Sequence, residues 1–212
     1  REQAVGLIEG GSDAIVLETS QDLLELKASI FGAHKAFAET GKRVPIQAQV
    51  TLDTTGRMLL GTDITAVAAV LERLPVEVIG LNCSTGPEHL REPVRYLCEH
   101  SAKFISAIPN AGMPLNIDGR AVYTLEPEPF ARALAEFAEK FGANVVGGCC
   151  GTTPEHLKRL VELVGGRPQL QRALTVAPEL SSAMRAVAMR QSPPPLLIGE
   201  RLNTQGSRRV KA

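Results

Sequence analysis

The stretch Asn144-Val-Val-Gly-Gly-Cys-Cys-Gly-Thr-Thr-Pro-Glu-His-Leu157 joins a short apolar run to two adjacent cysteines and then to the start of a helix. The apolar run predicts a strand, and the glycines allow close backbone approach. Thr153 is a good N-cap residue, and Pro154 suits the first helical position, where its missing N–H costs nothing. The sequence therefore predicts a strand, a tight loop and a helix, with Cys149 and Cys150 at the mouth of the loop.

The same arrangement occurs earlier, in Val78-Ile-Gly-Leu-Asn-Cys-Ser-Thr-Gly-Pro-Glu-His-Leu90, and in both turns a cysteine stands four residues before a proline. Parallel strands of one sheet place their following loops at the same carboxyl edge. We therefore expect Cys83, Cys149 and Cys150 to converge, although 66 positions separate the first from the second. Three thiols at one edge predict a metal site, and packing in the core at the strand ends is the alternative.

Composition limits what that site can serve. The chain has 212 residues, with 23 basic and 23 acidic side chains, which is typical of a soluble α/β domain and gives no reason to expect a nucleic-acid partner. Its apolar runs have strand length and are interrupted by charge, so we expect no membrane span and no signal peptide. We therefore expect a cytoplasmic location, where thiols stay reduced and bind metals more often than they form disulfides.

Five predicted strands alternate with helices at intervals of roughly 25 to 40 residues, which favours a parallel sheet. The predicted strands cover 14–18, 45–51, 76–82, 103–108 and 144–147. The predicted helices cover 1–10, 21–40, 63–74, 87–100 and 127–141, and a further helix starts at Pro154. The first strand is apolar without alternation, which predicts burial on both faces. Residues 109–125 are expected to form a long loop.

The fold predicted from this order is a (β/α)8 TIM-type barrel. The Gly-rich turn of a dinucleotide-binding sheet is not found, and the functional-looking residues follow strand after strand, as in barrels. Such barrels typically need about 250 residues, so five C-terminal β-α units fit here and roughly three would precede Arg1. An open five-stranded sheet is the alternative, because it needs no missing half.

The pattern changes after Gly165-Gly166. We expect the barrel portion to cover residues 1–166 and an interdomain linker to cover residues 167–195. Within the linker, Glu179 to Arg190 is predicted to form a short helix, and Ser192-Pro-Pro-Pro195 to be stiff. Residues 196–212 are expected to begin a second domain with a strand.

Two polar residues adjoin the predicted metal site. Glu18 ends the first strand, and Asn110 opens the loop after the fourth. Beside a thiolate-bound metal, a carboxylate and an amide suit a substrate with ammonium and carboxylate groups, hence an amino acid with its own thiol. Helix capping or satisfaction of loop backbone is the alternative role for both.

Three other residues are expected to play no part in the metal site. Cys98 lies late in a predicted helix and is expected to be a small buried hydrophobe. His89 and His156 each lie in the first turn of a predicted helix, where a side chain usually projects to solvent. A role as a metal ligand is the alternative for either histidine.

These motifs carry a family resemblance. Gly80-Leu-Asn-Cys-Ser-Thr-Gly-Pro87, Pro109-Asn-Ala-Gly112 and Val146-Gly-Gly-Cys-Cys-Gly-Thr-Thr-Pro154 resemble the motifs of the homocysteine S-methyltransferase family, and Leu17-Glu-Thr19 fits its earlier strand end. The similarity covers about residues 1 to 166. Beyond it, Ile198-Gly-Glu-Arg-Leu-Asn203 resembles the opening of the pterin-binding domain that follows this module in cobalamin-dependent members.

The resemblance implies a barrel in which Cys83, Cys149 and Cys150 hold zinc, with Glu18 and Asn110 near the amino-acid end of homocysteine. It implies that the homocysteine thiol takes the fourth zinc position, loses its proton and attacks an activated methyl group to give methionine. The implied methyl source is methylcobalamin recharged from methyltetrahydrofolate, supplied by cobalamin-binding and folate-binding modules of the same polypeptide.

Two other functions stay open at this point. Some family members take the methyl group from sulfonium or betaine-type donors, and residues 1–166 do not decide between donors. The chain is also compatible with a zinc-binding structural module in which His89 or His156 closes the metal shell and nothing reacts.

Overall fold

The structure of the chain is a computed structural model, and it describes residues 1–196. All five predicted strands are present as one parallel sheet. Their bounds are Ile15–Ser20 (β1), Ile46–Val50 (β2), Val78–Asn82 (β3), Phe104–Ile108 (β4) and Val145–Val146 (β7). Two short hairpins, described below, supply β5, β6, β8 and β9.

The sheet has the order β1-β2-β3-β4-β7, so each strand pairs with the next main strand along the chain. Asn82 at the end of β3 pairs with Ile108 at the end of β4, and Ala107 pairs with Val146 of β7. Because all five strands run the same way without a reversal of order, every loop that follows a strand emerges at one edge. This edge carries all three cysteines that follow strands.

Helices connect the strands and begin where the sequence predicts. Their bounds are Glu2–Glu9 (α1), Leu23–Thr40 (α2), Ile64–Leu71 (α3), Pro87–His100 (α4), Pro127–Glu136 (α5) and Pro154–Val164 (α6). A π-helical turn, Phe137–Phe141, continues α5. Asp22 and Asp63 cap α2 and α3, since each carboxylate accepts two backbone N–H groups of the first turn.

One face of the sheet packs against the helices and forms the apolar core. Every second residue of the central strands belongs to it, as Ile46, Ala48, Ile79 and Leu81 are fully buried. The opposite face is polar at its centre, where Gln47 and Gln49 both donate to Ser106 Oγ at 3.2 and 3.3 Å.

The first strand departs from the expectation that it is buried on both faces. Val16 of β1 is 49% exposed, whereas its neighbour Ile15 is buried. That expectation is wrong here because β1 packs against helices on one face only.

The segment expected to be a long loop, 109–125, contains a hairpin. Leu115–Ile117 (β5) and Arg120–Val122 (β6) pair antiparallel around Asp118-Gly119. Both turn residues have positive φ, 51° and 79°, as a two-residue turn of type I′ requires. The hairpin adds two strands that the apolar periodicity does not reveal.

The predicted helix over Glu179–Arg190 is wrong. Glu179–Ser181 (β8) and Ala186–Ala188 (β9) form an antiparallel hairpin instead. Ser182 accounts for the turn, because its Oγ accepts from the N–H groups of Met184 and Arg185 at 3.1 and 3.2 Å. A serine that bonds nearby backbone in this way competes with helix formation.

The segment predicted as a linker, 167–195, is docked onto the domain along part of its length. Thr175 N–H donates to Glu99 O at the end of α4, and Arg172 donates to Lys103 O at 2.6 Å. Further along, Ala186 N–H donates to Thr65 Oγ1 at 2.9 Å. Residues 172–186 therefore form a strap across α3 and α4.

The division into domains remains a prediction. The proposed second domain, 196–212, falls almost entirely on residues 197–212, which lie outside the described part of the chain. Within residues 1–196, none of the helices combines the length and the apolar character needed to cross a membrane.

The strap predicts slow amide exchange. We expect the amides of Thr175 and Ala186 to exchange at least about tenfold more slowly than those of an unstructured peptide, because both are hydrogen bonded to the domain. Thr65→Val removes the acceptor of Ala186 alone, so it should speed exchange at Ala186 and leave Thr175 unchanged. Hydrogen exchange read by mass spectrometry or NMR measures both, and free-peptide rates in the unmodified protein would contradict the docked strap.

Candidate metal centre

Three cysteines that are distant in sequence meet at the carboxyl edge of the sheet. Cys83 directly follows β3, and Cys149 and Cys150 lie in the loop after β7. The Sγ atoms of Cys83 and Cys150 are 3.8 Å apart, and those of Cys149 and Cys150 are 3.9 Å apart. All three sulfur atoms lie within 4.8 Å of one another. The predicted convergence is confirmed.

The spacing of the sulfur atoms fits a tetrahedral metal site. With Zn–S bonds of about 2.3 Å, two ligands of a tetrahedral zinc ion are separated by about 3.8 Å. Two of the three sulfur pairs have this separation to within 0.1 Å. The sulfur atoms of the third pair, Cys83 and Cys149, lie within 4.8 Å of each other. Three thiols leave one position of a tetrahedron for a further ligand, which is the pattern of catalytic zinc sites.

The electrostatics of the cluster favour a cation. Burial, followed by the nearby Cys83 and Cys150 sulfur atoms, raises the pKa of the Cys149 thiol to about 11. Three thiols at this distance cannot all ionise near neutral pH unless a positive charge offsets their repulsion. A divalent cation supplies that charge and binds the deprotonated form of each thiol.

One short loop, 109–111, holds both cysteine turns in place. The N–H of Asn110 donates to Thr85 O, in the turn that carries Cys83. On the other side, Cys149 N–H donates to Pro109 O at 2.8 Å. The side-chain oxygen of Asn110 accepts from Cys150 N–H at 3.1 Å. Asn110 is buried and joins the two turns that carry the cysteine cluster.

The backbone is strained at the ends of β1 and β3. Thr19, Cys83 and Ser84 have φ values of 59°, 62° and 62°, in the left-handed region that side-chain-bearing residues seldom adopt. Such conformations persist where the surrounding structure imposes them, and they concentrate at functional sites. Here they turn the Cys83 sulfur toward the loop after β7.

Asn82 is a site residue that the sequence analysis missed. It is fully buried, and its side-chain nitrogen lies 3.9 Å from Cys149 Sγ and 3.5 Å from Glu18 Oε2. Glu18, predicted from its place at a strand end, therefore lies one side chain away from the cysteine cluster. The sequence signal for Asn82 is weak, since an asparagine before a cysteine has no distinctive spacing.

Tyr123 is the second residue that the sequence analysis missed. It follows the β5–β6 hairpin, and its ring packs on Gly151, where a Cβ atom would lie 2.2 Å from Tyr123 Cγ. Burial, followed by the negative charge and hydrogen bonding of Cys150, raises the pKa of the Tyr123 hydroxyl. Gly151 is therefore required by the close approach of an aromatic ring to the cysteine loop.

The histidines lie outside the cluster. His156 is 5% exposed, which contradicts the expectation that it projects to solvent. Its Nδ1 accepts from Thr153 N–H at 3.2 Å, so its Nε2 carries the proton and donates to Leu125 O at 2.8 Å. One ring nitrogen thus caps α6, and the other holds the loop that precedes α5. His89 is half-buried, with Nδ1 3.1 Å from Glu88 Oε1.

Cys98 is buried in α4, as predicted. Burial raises the pKa of its thiol to about 11, so it stays protonated. It packs among apolar residues of the core and takes no part in the cluster.

Comparison with known proteins agrees with this geometry. The sequence model of the family described as Homocysteine S-methyltransferase matches residues 1–164. The chain belongs to the homocysteine S-methyltransferase family. The resemblance that its cysteine motifs indicate is confirmed.

The related proteins with curated descriptions are much longer than this chain. It is 44% identical to the methionine synthase of Mycobacterium leprae over 212 residues, which cover 98% of this chain and 18% of that protein. Identity to the methionine synthase of Mycobacterium tuberculosis is also 44%, over 98% of this chain and 17% of that protein. The chain thus spans less than a fifth of the length of either protein.

Solved structures support the fold. The chain matches the oxidized and apo forms of the homocysteine methyltransferase MmuM from Escherichia coli, each with a TM-score of 0.57 and 23% identity. The match covers 76% of this chain and 51% or 57% of the two solved chains. The α/β fold with a five-stranded parallel sheet is thereby shared with a member of the family.

The cluster predicts which cysteines bind metal. In the full-length protein, Cys83→Ala, Cys149→Ala and Cys150→Ala should each abolish tight zinc binding, because only two thiols of the cluster found within residues 1–196 would remain. Cys98→Ala is the matched control, since it removes a thiol that lies outside the cluster. Zinc content after dialysis against a chelator measures the effect. Stoichiometric zinc in any of the first three variants would overturn the assignment.

Proposed function

We propose that this chain binds homocysteine at a zinc-thiolate centre and transfers a methyl group to the homocysteine sulfur, giving methionine. The observation that carries the proposal is the cluster of three thiols with tetrahedral spacing, in a chain of the homocysteine S-methyltransferase family. Membership of the family supports the substrate. The spacing of the thiols supports the metal.

A zinc ion in this cluster would supply a Lewis acid that holds the substrate thiol as a thiolate near neutral pH. Cys83, Cys149 and Cys150 would hold it and leave the fourth position to the substrate. Three anionic ligands make the site net negative, so a fourth sulfur bound there keeps much of its electron density. A free thiol of pKa near 8.5 is mostly protonated at pH 7, so the site raises the share of the reactive form.

Glu18 and Asn110 would orient the amino-acid end of homocysteine. Glu18 is exposed beside the cluster, where its carboxylate can accept from the substrate ammonium group. Asn110 is buried, and its side-chain oxygen is already bonded to Cys150 N–H. We therefore assign it a structural role in the metal centre in addition to the proposed contact with substrate.

The proposal extends to the setting of the site. The uninterrupted strand order and the shared fold of MmuM support a (β/α)8 barrel, of which this chain supplies five β-α units. The 44% identity to two methionine synthases supports cobalamin and methyltetrahydrofolate as the methyl source, on other modules of the same polypeptide. The four cysteines are free thiols, which fits a cytoplasmic location.

The mechanism predicts proton release when homocysteine binds. At pH 7 the free thiol is mostly protonated, and it must lose its proton to become a zinc ligand. Calorimetry of homocysteine binding to the zinc-loaded full-length protein, in buffers of different ionisation enthalpy, should therefore report release of about one proton. Methionine is the matched control, because it has no thiol proton.

Removal of zinc should abolish the proton release. Tight homocysteine binding without dependence on the buffer would contradict the proposed function. In that case the three cysteines would form a structural metal site, and the sulfur of homocysteine would stay protonated or never reach the metal.

A further inference from the structure

Asn82 has an unusual position between the substrate side and the metal side of the site. It is the last residue of β3, it directly precedes Cys83, and its side chain is fully buried. A buried amide requires partners for its oxygen and nitrogen. Those of Asn82 lie at the end of β1 and in the loop after β7, which are otherwise separate parts of the centre.

The hydrogen bonds fix which way the amide points. Thr19 N–H lies 2.8 Å from Asn82 Oδ1, and since an N–H group only donates, the atom facing it must be the oxygen. The nitrogen Nδ2 therefore faces the other side. Its two N–H groups face three acceptors, Thr19 Oγ1 at 2.9 Å, Glu18 Oε2 at 3.5 Å and Cys149 Sγ at 3.9 Å, so Glu18 and Cys149 share the hydrogen that does not point to Thr19.

A zinc centre of this kind must direct the methyl group to one of several sulfur atoms. With zinc and homocysteine bound, three protein thiolates and the substrate thiolate would all be sulfur nucleophiles within reach of the methyl donor. Methylation of a protein ligand would turn it into a neutral thioether and weaken the metal site. An N–H donor to a thiolate withdraws electron density from the sulfur and makes it a poorer nucleophile.

We propose that Asn82 is a positioning residue that protects Cys149 from methylation and so directs the methyl group to the substrate sulfur. The inference rests on the proposed function, because it requires a zinc-thiolate centre. The same amide group contacts Glu18, so one buried side chain joins the carboxylate proposed to bind substrate to a sulfur that must not react.

The test measures methylation of each cysteine directly. Zinc-loaded full-length protein, without homocysteine, is treated with limiting methyl iodide. A sulfur lone pair attacks the methyl carbon, and iodide leaves with the bonding electron pair, so one thioether forms for each iodide released. Peptide mass spectrometry gives the methylation rate at each cysteine, and zinc content is measured on the same samples.

Asn82→Ala removes the donor, and we expect methylation of Cys149 to become about fivefold faster relative to Cys83. Asn82→Leu keeps a similar shape and has no donor at any pH, so it should show the same direction. Thr51→Val is the matched control. It removes a 2.9 Å bond to the backbone oxygen of Asn82 and leaves the side-chain amide in place, so the ratio should not change.

The outcomes are distinct. Cys98 is buried, so its methylation reports unfolding, and if Asn82→Ala exposes Cys98 the result is read from Asn82→Leu. An unchanged ratio of Cys149 to Cys83 methylation in a folded, zinc-loaded variant overturns the role of Asn82 and leaves the proposed function intact. A wild-type protein that binds no zinc overturns the proposed function, and the protection inferred here with it.

Discussion

Repulsion among three thiolates is the constraint on which the carboxyl edge of this sheet depends. The sulfur atoms are 3.8 to 3.9 Å apart in two of their three pairs, and burial with this crowding raises the pKa of Cys149 to about 11. Such a cluster is compatible with ionised thiols only when a cation shares it. The geometry of the cluster therefore supports the metal site proposed above.

Two asparagines hold the centre together, by different means. Asn110 joins the backbones of the two cysteine turns. Its N–H donates to Thr85 O, and its side-chain oxygen accepts from Cys150 N–H. Asn82 joins the side chains, because its amide group contacts Glu18, Thr19 and Cys149. The loops are thus fixed in part by hydrogen bonds of two buried amides, which carry no charge.

The convergence of the three cysteines can be predicted from the sequence because its signals are local. A short strand, a cysteine and a proline four residues later recur in both turns, and a parallel sheet then places both cysteines at one edge. Asn82 escapes prediction because its side-chain contacts lie 63 to 67 positions away in the sequence. Tyr123 escapes prediction because its role depends on the packing of its ring on Gly151. The expectation that His156 projects to solvent is wrong because His156 occupies the capping-box position that Glu or Gln usually fills, so its ring turns back to the start of the helix. The hairpin around Asp118-Gly119 can be predicted from its turn residues. The predicted helix over 179–190 is wrong because Ser182 Oγ accepts from the N–H of Met184 and so stabilises a turn.

The central claim is that the sulfur of homocysteine completes the metal shell formed by the three cysteines. X-ray absorption at the zinc edge of the zinc-loaded full-length protein tests it most directly, with and without homocysteine. We expect three sulfur ligands at about 2.3 Å in the absence of homocysteine and four in its presence. A zinc shell that is unchanged by saturating homocysteine would contradict it, because the reacting sulfur would then never bind the metal.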